Sequence, residues 1–349
     1  MLETIVEKIP LVDKSLLKEI LARLDNLTKP PGSLGVLEEI AAGYCLATGT
    51  SRPLLGRKAI FTMAADHGVA CQGVSAFPRE VTRQMVRNML QGGAAVNVLA
   101  RHAGAETRIV DIGVDDPLIG AQGLIRRKIR NGSGDISQGP AMTLEETRRA
   151  IQVGIDLALE AADEGFTLIG TGEVGIGNTT PAAALIAALL PCPPEEVTGR
   201  GTGLDDAGLK RKTDLVRRAL EVNRAALATP LETLAAVGGM EFAGLCGLIL
   251  GAASRRMPTV VDGFISAAAA LCACRICPRV RDYLFFSHFS AEKGYARFAA
   301  LMGIRPILDL GMRLGEGTGA ALGMQIIEAA VKIYNEMATF AAAGVAAKD

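Results

Sequence analysis

The sequence predicts an α/β fold with a mostly parallel sheet and helices on both of its faces. Short apolar runs that are typical of buried strands alternate with longer runs whose apolar residues repeat at helical spacing. The alternation starts near Lys58 and extends through most of the chain. Strands that alternate with helices require crossover connections, and these connections make neighbouring strands parallel.

The individual elements can be assigned in chain order. A capping box of Thr143 and Glu146 marks the start of one helix, and Gly92-Gly93 is expected to interrupt another. The predicted strands span residues 59–64, 107–110, 166–169, 259–261, 283–286 and 307–310. The predicted helices span residues 37–45, 79–103, 143–162, 182–190, 204–227, 242–254, 264–274 and 320–330.

The N-terminal segment is predicted to form a small helical unit that precedes the main domain. Apolar residues at positions 16, 17, 20, 21 and 24 give Ser15–Leu24 the spacing of an amphipathic helix. Pro30-Pro31 ends the helical pattern, because proline lacks a backbone donor and clashes with the preceding turn. A second helix is expected to begin near Leu37.

Composition and charge argue against several classes of function. Lys plus Arg and Asp plus Glu both number 37, so the chain lacks the basic excess that a nucleic-acid or anionic-membrane partner favours. The uncharged run at residues 174–194 is broken by prolines and is not predicted to span a membrane. Residues 1–10 carry three charges and lack the apolar core of a signal peptide. Seven scattered cysteines, an odd number, indicate reduced thiols and a cytoplasmic protein.

Three of the cysteines form a short cluster. Cys272, Cys274 and Cys277 read C-x-C-x-x-C, a spacing found at some metal sites. They end an alanine-rich helical run, and no second Cys or His pair follows at ligand spacing. Because buried cysteines often pack as small apolar residues, packing is favoured and no metal site is expected.

Polar residues follow the apolar runs at six places. Since the carboxyl ends of parallel strands share one edge of the sheet, a ligand site is predicted at that edge. Asp66-His67 fits either an acid–base pair or a turn in which His67 bonds backbone groups, and the turn is favoured. The six positions are Asp66/His67, Asp111, Glu173, Asp262, Ser287/His288 and Glu316.

Two of these acids lie among glycines, Glu173 in G-E-V-G-I-G-N and Glu316 in G-E-G-T-G. Paired carboxylates suit acid–base chemistry or stabilisation of a cationic transition state, as at an anomeric carbon. Glycine loops that open helices suit a phosphate, because their N–H groups can face an anion. The patterns together indicate a phosphorylated sugar with a substituted anomeric carbon. Helix capping is the alternative for either acid taken singly.

Seven motifs resemble one enzyme family, in the same order and along nearly the whole chain. They are L-T-K-P-P-G-S-L-G at 27–35, A-A-D-H-G-V at 64–69, E-V-G-I-G-N-T-T at 173–180, G-R-G-T-G-L-D-D at 199–206, D-G-F-I-S-A-A-A-A-L at 262–271, S-H-F-S-A-E-K-G at 287–294 and L-G-E-G-T-G-A at 314–320. In these motifs the chain is similar to the nicotinate-nucleotide–dimethylbenzimidazole phosphoribosyltransferases, which assemble the lower ligand of cobalamin.

This resemblance implies a fold, a reaction and an assembly. The fold is a Rossmann-like large domain, placed at residues 51–320, with a small helical domain formed by residues 1–50 and part of 321–349. The reaction converts nicotinate mononucleotide and 5,6-dimethylbenzimidazole to α-ribazole 5′-phosphate and nicotinate, without a cofactor. The assembly is a homodimer.

The resemblance also implies roles for individual residues. Glu316 corresponds to the family's general base. The chemistry of the reaction, apart from the resemblance, gives Glu173 the expected role of stabilising positive charge on the ribose. Phe77 and Met85, with Leu314, are placed in the pocket for the aromatic base. Since many members have polar side chains at the first two positions, a more apolar and adaptable pocket is expected. The phosphate and ribose contacts correspond to Glu173, Gly175, Gly201, Gly203, Lys212 and Ser290.

Two other functions fit parts of the sequence. Leu308-Asp309-Leu310 before a Gly/Thr loop resembles the signature of phosphoribosyltransferases that use a diphosphate sugar and magnesium, although those enzymes have two adjacent acids. A non-catalytic nucleotide-binding protein is the second alternative, and it would tolerate the loss of Glu316.

Overall fold

A six-stranded parallel sheet forms the centre of the computed structural model, which describes residues 2–190 and 192–346. Its strands, in chain order, are β1 (Arg57–Ala65), β2 (Ala105–Gly113), β3 (Ile125–Arg126), β4 (Phe166–Val174), β5 (Thr259–Val261) and β6 (Leu284–Phe286). The spatial order is β3-β2-β1-β4-β5-β6, and all of these strands pair in parallel. The predicted α/β fold is confirmed. The strand order reverses between β1 and β4, and such switch points are where open α/β sheets bind ligands.

Helices cover both faces of the sheet. They are α1 (Leu2–Lys8), α2 (Leu16–Asp25), α3 (Val36–Thr48), α4 (Glu80–Leu90), α5 (Ala95–His102), α6 (Leu144–Asp163), α7 (Thr179–Leu189), α8 (Pro194–Val197), α9 (Asp206–Val222), α10 (Pro230–Val237), α11 (Met240–Ser254), α12 (Phe264–Ile276), α13 (Lys293–Met302), α14 (Thr318–Glu336) and α15 (Phe340–Ala343). Short 3₁₀ turns span Gly68–Gln72, Arg224–Ala226 and Pro278–Tyr283. One face packs against α6, α7, α11 and α12, and the other against α3, α4, α5 and α14.

Alternation along β1 divides the core into these two layers. Phe61 and Met63 belong to the layer that contains α11, whereas Ile60 and Ala64 belong to the layer that contains α14. Between α6 and α11 the backbones nearly touch, because a Cβ atom at Gly154 would lie 1.8 Å from the Gly244 carbonyl. Because helices in this chain approach closely through small residues, the core is filled with few aromatic side chains.

The strand predicted at residues 307–310 is wrong in extent. Leu308 forms an isolated parallel bridge with His288, and Leu308 N–H donates to the Ser287 carbonyl at 2.9 Å. Leu310 is 57% exposed, so the segment leaves the sheet edge after this bridge. The helix predicted at 79–103 is divided into α4 and α5 at the expected Gly92-Gly93 break.

The N-terminal helices lie on different sides of the molecule. α2 and α3 pack with α14, and Arg23 Nε donates to the Tyr334 carbonyl at 2.8 Å. α1 instead packs against α6 and α11. The division into a small helical domain and a large domain stays a prediction, and its C-terminal limit, residues 347–349, lies outside the described residues. No helix in the described part of the chain has the length and apolarity needed to cross a bilayer.

Candidate active site

A cavity of about 440 Å³ opens at the carboxyl edge of the sheet, next to the switch point. It is bounded by the end of β4, the start of α7, the N-terminal end of α12 and the loop before α14. Eight of the ten predicted site residues line it, namely Glu173, Gly175, Gly201, Ser290, Glu316, Phe77, Met85 and Leu314. The structure therefore brings both acids, the glycine loops and the expected base pocket together in one cleft.

Glu316 is held in a strained backbone conformation just before α14. Its φ angle is +67°, in the left-handed region that non-glycine residues seldom occupy. The first N–H groups of α14 bond to another acid, Asp262. Asp262 Oδ1 accepts from Gly319 at 2.7 Å and Ala320 at 3.1 Å, and Oδ2 accepts from Gly317 at 3.0 Å. The interpretation of Glu316 as the cap of α14 is thus wrong, and its carboxyl group instead accepts a hydrogen bond from the Val96 backbone N–H in the first turn of α5.

The Glu316 carboxyl is buried and partly unpaired. The residue is 7% exposed, and its Oε2 atom has no hydrogen-bond partner among the described residues. Burial, assisted by the charge of Asp262, raises the pKa of Glu316 above its usual range. An unpaired buried acceptor is uncommon in folded proteins, and one that lines a cavity is suited to accept a proton from a ligand.

Glu173 lies opposite, near the end of β4, and is linked to the Glu316 loop. Its carboxyl accepts hydrogen bonds from Asn178 Nδ2 and from the Glu316 backbone N–H. Burial, with a smaller contribution from Asp262, raises the pKa of Glu173 to about 8. Unless a cation lies beside it, this acid is therefore mostly protonated at neutral pH.

The start of α7 forms a second wall of the cavity. Residues 175–179 line the cavity and precede an eleven-residue helix, whose N-terminal dipole favours negative charge. Gly175 permits close contact of this loop with β1, since a Cβ atom there would lie 2.4 Å from the Ala65 carbonyl. Lys212 lies behind this wall and donates from Nζ to Thr179 Oγ1 at 2.6 Å. Burial lowers the pKa of Lys212 to about 8.

Two predicted contacts are not on the cavity wall. Lys212 is fully buried behind Thr179. Gly203 borders a neighbouring hollow, which it shares with Arg200 and Lys293. Lys212 can influence an anion in the cavity through Gly201, whose missing Cβ would lie 2.9 Å from Lys212 Nζ.

The expected base pocket is apolar and open at its mouth. Phe77 and Leu314 are 54% and 57% exposed, and Met85 is half-buried on α4. Sequence reasoning missed Val81, which also lines the cavity one helical turn before Met85 and was detectable from that spacing. It also missed Arg313 and Thr202. Thr202 Oγ1 accepts from the Ala76 N–H at 2.9 Å and so joins the 199–203 loop to the base pocket.

The polar residues after β1 and in β2 have structural partners instead. His67 Nε2 lies 2.5 Å from Glu241 Oε1, and its Nδ1 lies 3.4 Å from Ser133 Oγ. Both sequence-based interpretations of His67 are therefore wrong, because side chains other than Asp66 hold the imidazole. Asp111 accepts from the Val114 N–H at 2.9 Å, and thus secures a loop outside the cavity.

The cysteine cluster lies in the core rather than at the cleft. Cys272, Cys274 and Cys277 are all buried, and burial raises the pKa of Cys274 to about 11. Within residues 2–190 and 192–346, no group of three or more potential ligands is arranged to hold a metal ion. Their surroundings agree with a packing role.

Comparison with known proteins identifies the family of the chain. A family profile described as phosphoribosyltransferase matches residues 9–345. The chain belongs to this phosphoribosyltransferase family. A protein of Chlorobaculum tepidum, named nicotinate-nucleotide–dimethylbenzimidazole phosphoribosyltransferase, is 60% identical over 338 residues, which are 97% of this chain and 96% of that protein. A Geobacter sulfurreducens protein of the same name is 55% identical over 344 residues, 99% of this chain and 98% of its own. A crystal structure of the Thermus thermophilus protein of the same name matches with a TM-score of 0.91 and 46% sequence identity. The match covers 96% of this chain and 100% of the Thermus thermophilus chain.

The cleft of this phosphoribosyltransferase is rich in acids. Glu173, Glu292 and Glu316 line it, and Asp262 lies directly behind. Arg313 is the one lysine or arginine among the described residues on its wall, and it is exposed at the mouth. Several buried carboxyl groups near one another favour a cationic ligand, because its charge offsets their mutual repulsion.

Proposed function

We propose that this enzyme transfers the 5-phosphoribosyl group of nicotinate mononucleotide to 5,6-dimethylbenzimidazole, or to a related aromatic base, in cobalamin biosynthesis. The products are α-ribazole 5′-phosphate and nicotinate. The observation that carries the proposal is that Glu316, whose carboxyl has a buried oxygen without a partner among the described residues, lines the same cavity as Glu173. Similarity along nearly the whole length to enzymes named for these substrates supports it.

The reaction requires one base and no acid. The donor's pyridinium ring is cationic, so nicotinate leaves with a neutral ring nitrogen and needs no proton. The attacking benzimidazole forms the new bond through one nitrogen and loses the proton on the other. Glu316 accepts that proton, and its raised pKa brings its basicity closer to working pH.

Glu173 responds to the charge of the donor. It is mostly protonated when no cation lies beside it, since its pKa is about 8. A cationic nucleotide in contact with it lowers that pKa and favours the carboxylate. The ionised group then stabilises the positive charge that grows on the ribose as the glycosidic bond breaks.

The phosphate and the acceptor base have separate places in the cleft. The phosphate lies at the N-terminus of α7, near Gly175, with Lys212 supplying positive charge from behind Thr179. The acceptor base packs among Phe77, Met85 and Leu314. This apolar surface offers few polar groups for selection, so we expect the enzyme to accept several benzimidazoles.

The proposed assembly is a homodimer. Light scattering of the purified protein should then give about twice the chain mass of 36.4 kDa. A mass that stays at the monomer value at micromolar concentration contradicts this part of the proposal and leaves the proposed reaction unaffected.

The decisive experiment for the reaction is incubation of the purified enzyme with nicotinate mononucleotide and a panel of benzimidazoles, with products read by mass spectrometry. The proposal predicts a ribazole phosphate and nicotinate in equal amounts, with or without a chelator. Product formed only from a diphosphate sugar and magnesium would favour the rival enzyme class, whose candidate acid, Asp309, is exposed and off the cavity wall. Nucleotide binding without turnover would favour a non-catalytic protein.

A further inference from the structure

We propose that His288 binds the ribose of the donor nucleotide through a hydrogen bond between its Nε2 atom and a ribose hydroxyl. This inference deepens the proposed function and rests on it. His288 is 1% exposed and lines the cavity, yet its Nε2 atom has no partner among the described residues. Buried polar atoms without partners are rare, and one at a cavity wall is available to a ligand.

The partners of the other ring nitrogen determine the tautomer. Ser287 Oγ donates its single hydrogen to the Asp262 carbonyl at 3.2 Å and also lies 3.1 Å from His288 Nδ1. Both contacts are hydrogen bonds only if Nδ1 carries the proton and donates to Ser287. The Asp262 carboxylate, 4.0 Å from Nδ1, favours the same arrangement. Nδ1 is thus committed to Ser287, and Nε2 is the ring nitrogen left for a ligand.

Two glycines keep the ring in place. A Cβ atom at Gly319 would lie 1.9 Å from His288 Nδ1, and one at Gly263 would lie 3.3 Å from Cε1. The imidazole therefore occupies a slot between the starts of α12 and α14, and it cannot rotate freely. A ligand atom that meets Nε2 meets a nitrogen in a fixed position, which is the arrangement expected of a binding residue.

The position of Nε2 selects a hydroxyl rather than a phosphate. Nε2 and Ser290 Oγ lie 3.5 Å and 3.7 Å from the point where a Gly263 Cβ would be, so both face the same part of the cavity. Glu316 lines the same cavity. A phosphate dianion there would lie near the carboxyl groups of Glu316 and Asp262, whereas an uncharged sugar hydroxyl can share hydrogen bonds with Nε2 and Ser290.

The test combines variants of His288 with deoxy donors. His288→Asn keeps a polar atom near Ser287 but does not reach the position of Nε2, whereas His288→Gln restores a hydrogen-bonding atom there. We expect His288→Asn to lower kcat/KM for nicotinate mononucleotide about 10-fold or more, the worth of one buried hydrogen bond, and His288→Gln to lower it less. One of the two deoxy donors, 2′ or 3′, lacks the hydroxyl that His288 contacts. With that donor, kcat/KM of His288→Asn should be close to that of the native enzyme.

The outcomes separate this inference from the proposed function. If the native enzyme turns over none of the donors, the proposed function is contradicted, independently of the results for the His288 variants. If the native enzyme is active and His288→Asn lowers kcat/KM by the same factor for all three donors, the ribose assignment is overturned. It is also overturned if His288→Asn does not lower kcat/KM for any donor. His102→Asn, at an exposed histidine outside the cleft, is the matched control and should behave as native enzyme. Circular dichroism verifies that each variant is folded.

Discussion

At the scale of single residues, Glu316 differs from a surface glutamate in three respects. Its backbone is left-handed, one carboxyl oxygen lacks a partner among the described residues, and burial raises its pKa. Each feature costs stability, and the loop keeps all three because Asp262 fixes the adjacent start of α14. Destabilising features that occur together in one residue of a cleft are typical of a reactive group.

Glu316→Gln is expected to lower turnover roughly 10²- to 10⁴-fold, because the amide keeps the shape but cannot accept the proton. Binding of nicotinate mononucleotide should change little, since the proposed phosphate and ribose contacts lie elsewhere. The rate of the native enzyme should fall as pH drops below the pKa of Glu316, and this acid limb should lie above the ordinary glutamate value of 4.5. Steady-state kinetics across pH provides the measurement, with the exposed Glu336→Gln as control. Native turnover in Glu316→Gln would contradict the assignment.

Glu173 should make the enzyme less stable as pH rises. Below its ordinary pKa of 4.5 the carboxyl is protonated in both folded and unfolded chains. Between 4.5 and about 8 the unfolded chain ionises while the folded one keeps its proton, so the free energy of unfolding falls. Glu173→Gln removes this dependence. Urea unfolding at pH 5 and pH 8 should therefore show a larger decline for native enzyme than for the variant, and equal declines would refute the raised pKa.

At the scale of secondary-structure elements, the N-terminus of α14 depends on an acid from a distant segment. Asp262 follows β5 and caps a helix that begins some 55 residues later. Because the cap residue, Gly317, adjoins Glu316, the same hydrogen bonds fix the helix and position the proposed base.

Asp262→Asn should affect stability and activity together. The amide retains one oxygen for Gly319 and Ala320 but presents a donor to the Gly317 N–H. We expect a loss of about 1 kcal/mol in unfolding free energy, typical for a helix cap, and a fall in kcat as Glu316 shifts. Thr143→Ala is the matched control, because Thr143 Oγ1 caps α6 by accepting from the Glu146 N–H at 3.1 Å, away from the cleft. If both variants lose stability but neither loses activity, the cap does not position Glu316.

Sequence alone predicted those features whose determinants are neighbours along the chain. The capping box of Thr143 and Glu146 gave the start of α6, and glycines on either side marked Glu173 and Glu316. Contacts between distant segments were not predictable in this way. His67 pairs with Glu241, 174 positions away, and no local pattern indicates that partner. The strand at 307–310 was overestimated for the same reason, because its pairing depends on β6.

At the scale of the whole molecule, the cleft is assembled from segments spread across the chain, from Val74 to Glu316. The parallel sheet brings them together because its strand ends share one edge. A ligand that binds the folded state alone stabilises all of them, by about 2.7 kcal/mol at a concentration 100-fold above its Kd. The donor should therefore raise the melting temperature of the entire enzyme.

Hydrogen exchange can show whether the donor occupies this cleft. We expect nicotinate mononucleotide to slow exchange in residues 174–179, 201–202, 263–265 and 313–316, and at His288, Ser290 and Glu292, all of which line the cavity. The acceptor base should then add protection at residues 74–85. The basic hollow beside α9, lined by Lys210, Arg211 and Arg218, is the natural competitor for a phosphate and serves as an internal control. Protection confined to that hollow would place the nucleotide outside the cleft, and Glu316 would then have no substrate to deprotonate.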